Sequence, residues 1–276
     1  MAGSVVCCGL TTVDLVQVVD DVPGPDQKVA SREARLDVGG PAANAARTAA
    51  ALGAEVRLVT ALGAGPFAGF VRGQLAGIEV VDLAPPGYEL PISSVVLDSR
   101  GRRQVVSQNA AGLTRTAAPP TLDHADVVLV DGHLMDAAIR LAAAARRAGI
   151  PVVFDGGSYK PGTEELLYHV DVAAVSADFA FPRGGDTLRQ ILDHGADLAL
   201  QTHGGRPVVV ETVHGRKWVP VPEVEVVDTL GAGDVFHGAL ATAYARGDTL
   251  QAAITFAIEV ATRSVQAPGA LGWAST

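Results

Sequence analysis

Short apolar runs alternate with longer stretches of small residues along most of the chain. The apolar runs resemble strands that are buried on both faces, and the stretches between them carry the spacing of an apolar helix face. Predicted strands cover residues 4–10, 56–61, 80–83, 127–130, 152–154, 172–175 and 198–201. Predicted helices cover residues 41–52, 66–76, 136–148 and 249–266, and a further helix follows residue 233. Repeated strand–helix units predict an α/β fold whose mostly parallel sheet has helices on both faces.

Two segments depart from this pattern because apolar and charged residues alternate in them. In residues 15–37 the alternation is interrupted by a Pro-Gly-Pro turn at 23–25, and residues 93–97 and 104–107 form a second alternating pair joined through 99–101. Such alternation is typical of strands with one buried face. We therefore expect half-exposed antiparallel strands outside the main sheet.

The composition restricts the kinds of protein that this chain can be. A chain of 276 residues can form one large α/β domain or two small ones, and its core must consist of Ala, Val and Leu because only 5% of the residues are aromatic. The net charge of −9 argues against nucleic acid and anionic membranes as partners, although a local anion site can still bind ATP. No apolar run reaches the ~18 residues of a membrane span, and no leader-like segment opens the chain, so we expect a cytoplasmic protein.

The two cysteines, Cys7 and Cys8, are neighbours within the first predicted strand. Neighbouring side chains of a strand point to opposite faces, which disfavours a disulfide or a shared metal. We expect both thiols to be reduced residues of the core.

The clearest candidate chemistry lies just before the central predicted helix. An apolar, strand-like run at residues 224–227 leads into Gly231, Ala232, Gly233 and Asp234. Small residues let backbone N–H groups approach an anion closely, and a helix N-terminus favours negative charge. Asp234 beside such a site is suited to take a proton from a substrate hydroxyl during phosphoryl transfer. On spacing alone, a Gly-rich turn with an ordinary first-turn aspartate explains the pattern equally well.

Two segments are similar to the signatures of a known family. The run Asp-Thr-x-Gly-Ala-Gly-Asp at residues 228–234 resembles the C-terminal signature of the PfkB (ribokinase-like) carbohydrate kinases. Residues 39–46, which read Gly-Gly-Pro-Ala-Ala-Asn-Ala-Ala, resemble the N-terminal signature. The resemblance covers residues 5–272. In its general sequence character, the chain is most similar to ketose-type members such as ketohexokinase and sulfofructose kinase.

The resemblance implies the fold and the activity. The fold would be a single ribokinase-like α/β domain over residues 1–276, with a small β lid formed by about residues 11–37 and 91–109. The activity would be ATP-dependent phosphorylation of a sugar, with Mg²⁺ as a cofactor and a monovalent cation as a further candidate.

Individual roles also follow from the resemblance. Asp234 is implied to be the catalytic base, beside an anion hole formed by Gly231, Ala232 and Gly233. The implied substrate contacts are Asp14, Lys28, Gly39, Gly40, Asn44, Asn109 and Asp234. The implied ATP contacts are Thr202, Gly204, Asp228, Gly231 and Gly233, and residues 267–270 are implied to close over the adenine. Arg103 matches a position that often carries a basic group near the transferring phosphate. For both Arg103 and Lys28, an exposed and solvated side chain explains the sequence at least as well.

One segment departs from the family pattern. The family usually has Asn-x-x-Glu to organise Mg²⁺ and water, whereas this chain has Ser176 and Phe179 at those positions. The metal ligands therefore stay unassigned. The spacing of Asp131 and His133 matches no metal triad.

Several other functions compete with a sugar kinase acting on a ketohexose or pentose. A Walker-type NTPase, a protein kinase and a Rossmann dehydrogenase each require motifs that the chain lacks. A nucleoside kinase is disfavoured because the predicted lid contains no aromatic residue to stack on a base. A kinase of an anionic sugar such as sulfofructose would depend on Lys28, and a degenerate, non-catalytic sugar sensor is the non-enzymatic alternative.

The expected partners are a small sugar and ATP, with neither nucleic acid nor membrane. The alternating lid strands predict either a homodimer through the lid or a monomer with a mobile lid.

Overall fold

The structure, a computed structural model, describes residues 3–98, 103–110, 113 and 122–275. The strands are β1 (Ser4–Cys8), β2 (Thr12–Val19), β3 (Glu33–Gly39), β4 (Glu55–Thr60), β5 (Glu79–Asp82), β6 (Ile92–Asp98), β7 (Arg103–Ser107), β8 (Val127–Val130), β9 (Val152–Gly156), β10 (Val172–Ser176), β11 (Leu198–His203), β12 (Arg206–Thr212) and β13 (Gly215–Val219). The helices are α1 (Pro41–Ala51), α2 (Pro66–Gln74), α3 (Met135–Ala148), α4 (Thr163–Leu167), α5 (Thr187–Asp193), α6 (Ala232–Ala245) and α7 (Leu250–Ser264), followed by a 3₁₀ turn at Gly272–Ser275.

The large sheet has the strand order β13-β12-β11-β10-β9-β8-β1-β4-β5. All neighbouring pairs from β11 to β5 are parallel, and β12 and β13 extend one edge as an antiparallel hairpin. Helices α1, α2, α6 and α7 cover one face, and α3, α4 and α5 cover the other. The predicted α/β fold with a mostly parallel sheet between helical layers is therefore confirmed.

The central strands are buried because both of their faces meet helices. Along β1, Cys7 belongs to the apolar cluster of one face and Cys8 to that of the other. Both thiols are free and buried, and burial raises the pKa of each thiol far above its ordinary value. The two cysteines are therefore inert core residues, as predicted.

The small sheet has the strand order β3-β2-β6-β7 and is built from the two predicted lid segments. Strands β2 and β3, and likewise β6 and β7, pair in antiparallel fashion, as predicted, but β2 and β6 join the two pairs in parallel. The predicted turn at residues 99–101 lies outside the described residues. One face carries Asp37, Asp14, Ser93 and Ser107 in a single cross-strand row.

The prediction of a strand at residues 224–227 is wrong. This segment has no regular structure, and Val226 and Val227 are exposed. Pro220 and Pro222 precede it and cannot donate ladder hydrogen bonds, so the chain leaves the sheet after β13. The sequence analysis also missed α4, α5 and the β12–β13 hairpin, whose short segments carry little periodicity. Among the described residues, no helix has both the length and the apolar character needed to cross a bilayer.

Helices α1 and α6 approach each other closely because their contact surfaces consist of small residues. A Cβ atom added at Gly238 would lie 2.5 Å from the backbone oxygen of Ala45 and 2.9 Å from Cβ of Thr48. No real Cβ atom tolerates a backbone oxygen at that distance, so any side chain at residue 238 must push the helices apart. This contact fixes the position of α6 over the sheet.

We expect Gly238→Ala to lower the melting temperature measurably, because overpacking of this kind typically costs about 1–3 kcal/mol. Gly73→Ala in α2 is the matched control: its added Cβ would have no neighbour within 4 Å. Because alanine is the better helix former, the control should keep or raise stability by about 0.5–1 kcal/mol. Thermal unfolding followed by circular dichroism compares the two variants, and equal stabilities would contradict the close packing of α1 and α6.

Candidate active site

The N-terminus of α6 is formed by a glycine turn. Gly231 has φ = 73°, a left-handed conformation that favours glycine, and its carbonyl accepts the first helical hydrogen bond from Val235. A Cβ atom at residue 231 would also lie 2.6 Å from Cβ of Ala270. No side chain caps this helix end. The Ala232 N–H donates to the Thr229 carbonyl over 3.3 Å, but the next N–H groups, those of Gly233 and Asp234, have no backbone partner in the described part of the chain and can bind an anion.

A cavity of about 710 Å³ opens at this helix end. Ala232 and Gly233 line it on one side and Thr202 and Gly204 on another, and a Cβ added at Gly233 would have no neighbour within 4 Å. Its apolar wall consists of Val208, Val221, Val224, Val226, Phe236, Ile258, Ala261 and Val265. The volume lies within the ~300–1,000 Å³ typical of small-molecule sites. A charged end at a helix N-terminus and an apolar far end together suit a nucleotide.

Asp234 lies in the first turn of α6 and is partly buried. Asn44, one turn into α1, donates a hydrogen bond from Nδ2 to Oδ2 of Asp234 over 2.8 Å. Burial raises the pKa of Asp234 to about 7; an ionised Asp155 would act in the same direction, and the Asn44 hydrogen bond acts against the rise. A carboxyl group with a pKa near neutrality can take up and release a proton under ordinary conditions.

The predicted substrate residue Asn44 therefore holds the proposed base. Its side chain is buried, and its Oδ1 atom has no hydrogen-bond partner among the described residues. A buried acceptor without a partner is costly, so this atom is suited to accept a hydrogen bond from a ligand hydroxyl next to Asp234.

Asp14 depends on the diglycine Gly39-Gly40. A Cβ at Gly39 would overlap the Asp14 carboxylate at 2.2 Å, and Gly40 combines φ = 94° with a Cβ position 2.4 Å from the carbonyl oxygen of Leu10. Burial raises the pKa of Asp14, while hydrogen bonds from the Thr12 and Ser93 hydroxyls act against that rise. Both glycines thus have steric roles that bring β3 against the Asp14 carboxylate.

Arg103 bridges the small sheet and the glycine turn. Its Nη1 atom donates to Oγ1 of Thr229 over 3.0 Å and to the Thr229 carbonyl over 3.3 Å, and its side chain lines the large cavity. A guanidinium at this position adds positive charge beside the free N–H groups of α6. The side chain of Arg103 is exposed, as one of the two interpretations of the sequence expects, and its role near a phosphate stays a prediction.

Asp228 shapes the turn. Its Oδ1 accepts from Leu230 N over 2.8 Å and its Oδ2 from Gly269 N over 2.9 Å, while Nη2 of Arg35 lies 4.0 Å from Oδ2. Residues 267–270 do not line the large cavity, although they were expected over the adenine. Instead, Ala270 packs against Gly231, so residues 267–270 support the glycine turn before α6.

No described contact joins Lys28 or Asn109 to Asp234. Lys28 is exposed in the loop between β2 and β3, and no described contact joins it to the site. Asn109 has φ = 49°, and its backbone N–H donates to Oγ of Ser107 over 3.1 Å. It lines a second cavity of about 380 Å³, together with Phe67 and Tyr88.

At the positions where the family usually has Asn-x-x-Glu, Phe179 packs in the core and Ser176 makes a local hydrogen bond. Phe179 is buried and makes edge-on contacts with Phe154 and Phe181, and Oγ of Ser176 donates to the Gly157 carbonyl over 2.9 Å. Within the described part of the chain, no three His, Cys, Asp or Glu residues are grouped so that they could hold a metal ion.

Sequence reasoning underestimated three buried polar residues at the carboxyl edge of the sheet. Asp131 accepts hydrogen bonds from the backbone N–H groups of Leu10, Ala42 and His133, and so ties β1, α1 and β8 together. Asp155 and His237 pair with Nδ1 and Oδ2 3.2 Å apart. His237 follows Asp234 by three residues, and that helical spacing was the available signal.

Comparison with known proteins identifies relatives over the whole length of the chain. A family model described as pfkB family carbohydrate kinase matches residues 2–275. Ribokinase of Bacillus subtilis is 26% identical over 275 residues, which cover 96% of this chain and 93% of that protein.

Solved structures show the same fold. A protein of Agrobacterium tumefaciens that was assigned as a ribokinase superposes with a TM-score of 0.87 and 25% identity, covering 99% of this chain and 94% of the other. Arabidopsis thaliana ribokinase, solved in complex with ribose and ATP, superposes with a TM-score of 0.79 and 22% identity, covering 99% and 96%.

We expect Gly233→Val to abolish nucleotide binding without unfolding the protein, because its side chain would project into the cavity at the helix end. Calorimetric titration with ATP and Mg²⁺ should show at least a tenfold loss of affinity, which corresponds to about 1.4 kcal/mol. Gly69→Val, on an open face of α2 whose added Cβ also has no neighbour within 4 Å, carries the same helix cost and should bind normally. Unchanged nucleotide affinity in folded Gly233→Val would locate the anion site elsewhere.

Proposed function

Because the chain belongs to the pfkB family of carbohydrate kinases, which are ATP-dependent phosphotransferases, we propose that it transfers the γ-phosphoryl group of ATP to a primary hydroxyl of a small sugar. The observation that carries this proposal is the placement of Asp234 one residue beyond the uncapped, glycine-rich N-terminus of α6. Asp234 serves as the general base, and Gly231, Ala232 and Gly233 form the anion hole.

The proposed chemistry divides between the carboxylate and the helix end. Asp234 takes the proton from the sugar hydroxyl, and the resulting oxygen nucleophile forms a bond to the γ-phosphorus as the bond to the bridging oxygen of ADP breaks. N–H groups at the α6 N-terminus and the Arg103 guanidinium stabilise the charge on the transferring group. Mg²⁺ bound to ATP would neutralise phosphate charge, and Thr202 and Gly204, which line the same cavity as Ala232 and Gly233, would contact the phosphates.

The proposed sugar site lies between the small sheet and α1. Asp14 supplies a carboxylate for sugar hydroxyls, Asn44 supplies its unpartnered oxygen, and Ser93 extends the polar row beside Asp14. A pentose or ketohexose matches such a site because its hydroxyls both donate and accept. The ribokinase relatives favour the pentose. An anionic sugar such as sulfofructose gains little support, since exposed Lys28 supplies only about 0–1 kcal/mol of charge pairing.

A nucleoside is the second candidate acceptor. The lid itself lacks aromatic residues, but Phe67 and Tyr88 from outside the lid line the second cavity beside Asn109. Ser93 and Ser107 connect this region to Asp14, because their hydroxyls lie 3.0 Å apart and Ser107 also accepts from Asn109. An aromatic wall next to an amide is suited to a nucleobase.

The test is a coupled ADP-release assay with Mg–ATP and a panel of ribose, fructose, sulfofructose and ribonucleosides, run on wild type and Asp234→Asn. We expect a free sugar to be the best acceptor. We also expect the substitution to lower turnover by roughly 10²–10⁴-fold while sugar binding survives. Asp136→Asn is the matched control, since Asp136 is also a first-turn aspartate of a 14-residue helix.

The outcomes of this assay separate the alternatives. A ribonucleoside with higher kcat/KM than any sugar would establish the second candidate. Sugar binding without any turnover in wild type would point to a sensor, and Asp234→Asn turnover within a few-fold of wild type would remove Asp234 as the base.

We also expect kcat/KM to rise with pH through a midpoint near 7. The reason is that the base must be ionised and the pKa of Asp234 is raised to about 7. Protonated Asp234 predominates below that value, so activity is lost on acidification. Steady-state kinetics at saturating ATP measure the midpoint, and full activity at pH values where the carboxyl is protonated would refute the assignment.

A further inference from the structure

The buried Asp155–His237 pair has no part in the mechanism described so far. Asp155 is the penultimate residue of β9 and His237 lies on the buried side of α6, and both side chains are only 5% exposed. His237 Nε2 lies 3.0 Å from the Ala174 carbonyl of β10, and its Nδ1 lies 3.2 Å from Asp155 Oδ2. The pair thus connects α6 to two neighbouring strands, three residues after Asp234.

The geometry fixes how many protons the pair holds. A carbonyl oxygen can only accept, so Nε2 of His237 carries a hydrogen. In a neutral imidazole, Nδ1 then presents a lone pair towards Asp155 Oδ2, 3.2 Å away, and neither atom has a well-oriented hydrogen bond in the described part of the chain. An ionised Asp155 would place a negative charge against this lone pair inside the buried core, which is strongly unfavourable. The pair therefore holds one proton, on either Asp155 or His237, and carries no net charge.

Several charged groups surround this pair. Asp234 on α6 and Asp131 at the end of β8 are the negatively charged neighbours of the pair. Lys160, in the segment after β9, is a positively charged neighbour. His133 belongs to the same group, since Asp131 and Lys160 both act on it. Loss of the shared proton would therefore place a new negative charge among Asp131, Asp234 and the bound phosphates.

We propose that Asp155 and His237 form a positioning pair that must hold one shared proton for phosphoryl transfer, so that loss of this proton sets the alkaline limit of activity. The pair holds the first turns of α6 against β9 and β10, and its neutrality leaves Asp234 able to ionise. The inference rests on the proposed role of Asp234 as the base.

The electrostatics agree in direction with this proposal. Burial raises the pKa of Asp155 to about 8; Asp131 contributes to the rise, and Lys160 opposes it. Burial lowers the pKa of His237. The Ala174 carbonyl, the charge of Asp234 and the Gly233 carbonyl each act to raise it, but the effect of burial is larger. A carboxyl with a raised pKa keeps its proton at neutral pH and loses it on alkalinisation, so activity should fall as pH rises through about 8.

The kinetic test compares the pH profiles of kcat/KM for wild type and Asp155→Asn. In the variant, the amide N–H donates to His237 Nδ1 and the pair stays neutral at every pH. We expect the variant to have activity near that of wild type at neutral pH and to lose activity on acidification as wild type does. The loss of activity at alkaline pH (the alkaline limb of the profile) should disappear or move up by about one pH unit or more. The matched control is Asp171→Asn: burial also raises the pKa of Asp171, which accepts from Val152 N at the opposite end of β9.

A second measurement follows the protons of the pair directly and does not depend on activity. In wild type labelled with ¹⁵N-histidine, His237 should show a protonated Nε2 and a shared proton at Nδ1 that is lost in a single step near pH 8. Its signals are identified as those whose titration is unaffected by Asp171→Asn and altered by Asp155→Asn.

The results distinguish this proposal from the role of Asp234. An alkaline limb unchanged in folded Asp155→Asn, or a His237 ring without hydrogen on Nε2, would overturn the shared proton and leave the proposed function intact. Loss of the acid limb in wild type would instead contradict Asp234 as the base. A purely structural role for the pair would lower stability and turnover without moving either limb.

Discussion

The site depends on one electrostatic conflict, a carboxylate held next to an anion-binding helix end. Free N–H groups at the α6 N-terminus attract phosphate, whereas an ionised Asp234 would repel it. Desolvation favours the neutral form of Asp234, whereas the hydrogen bond from Asn44 favours its charged form. The result is a carboxyl that alternates between its charged and neutral forms near neutral pH. This property makes the arrangement useful for moving a proton together with a phosphoryl group.

The parallel sheet brings the parts of the site together. Register places the ends of β1, β8, β9 and β10 on one edge, which is where open α/β sheets bind ligands. Helices α1 and α6 start above that edge, and small residues such as Gly238 let them pack closely enough for Asn44 to reach Asp234. The small sheet adds Asp14 and Arg103 from the other side. The proposed sugar and nucleotide sites therefore meet at Asp234.

Much of this organisation could be predicted from the sequence. Strand–helix periodicity predicted the sheet and its layers, and the glycines before Asp234 marked the helix end. Residues 224–227 were misread because apolar alternation does not reveal whether a partner strand is present. His237 was missed because its role depends on Asp155, which is distant in sequence. The contact between Arg103 and Thr229 likewise exists only in the folded chain.

The account is tested most directly by titrating the Asp234 carboxyl itself. Carbon-13 NMR of protein labelled at the aspartate side-chain carboxyls would follow this group, identified as the signal missing from Asp234→Asn. We expect a titration midpoint near 7, because burial raises the pKa of Asp234 to about 7. A midpoint near the ordinary aspartate value of about 3.9 would contradict the claim that this site holds a carboxyl poised to exchange a proton.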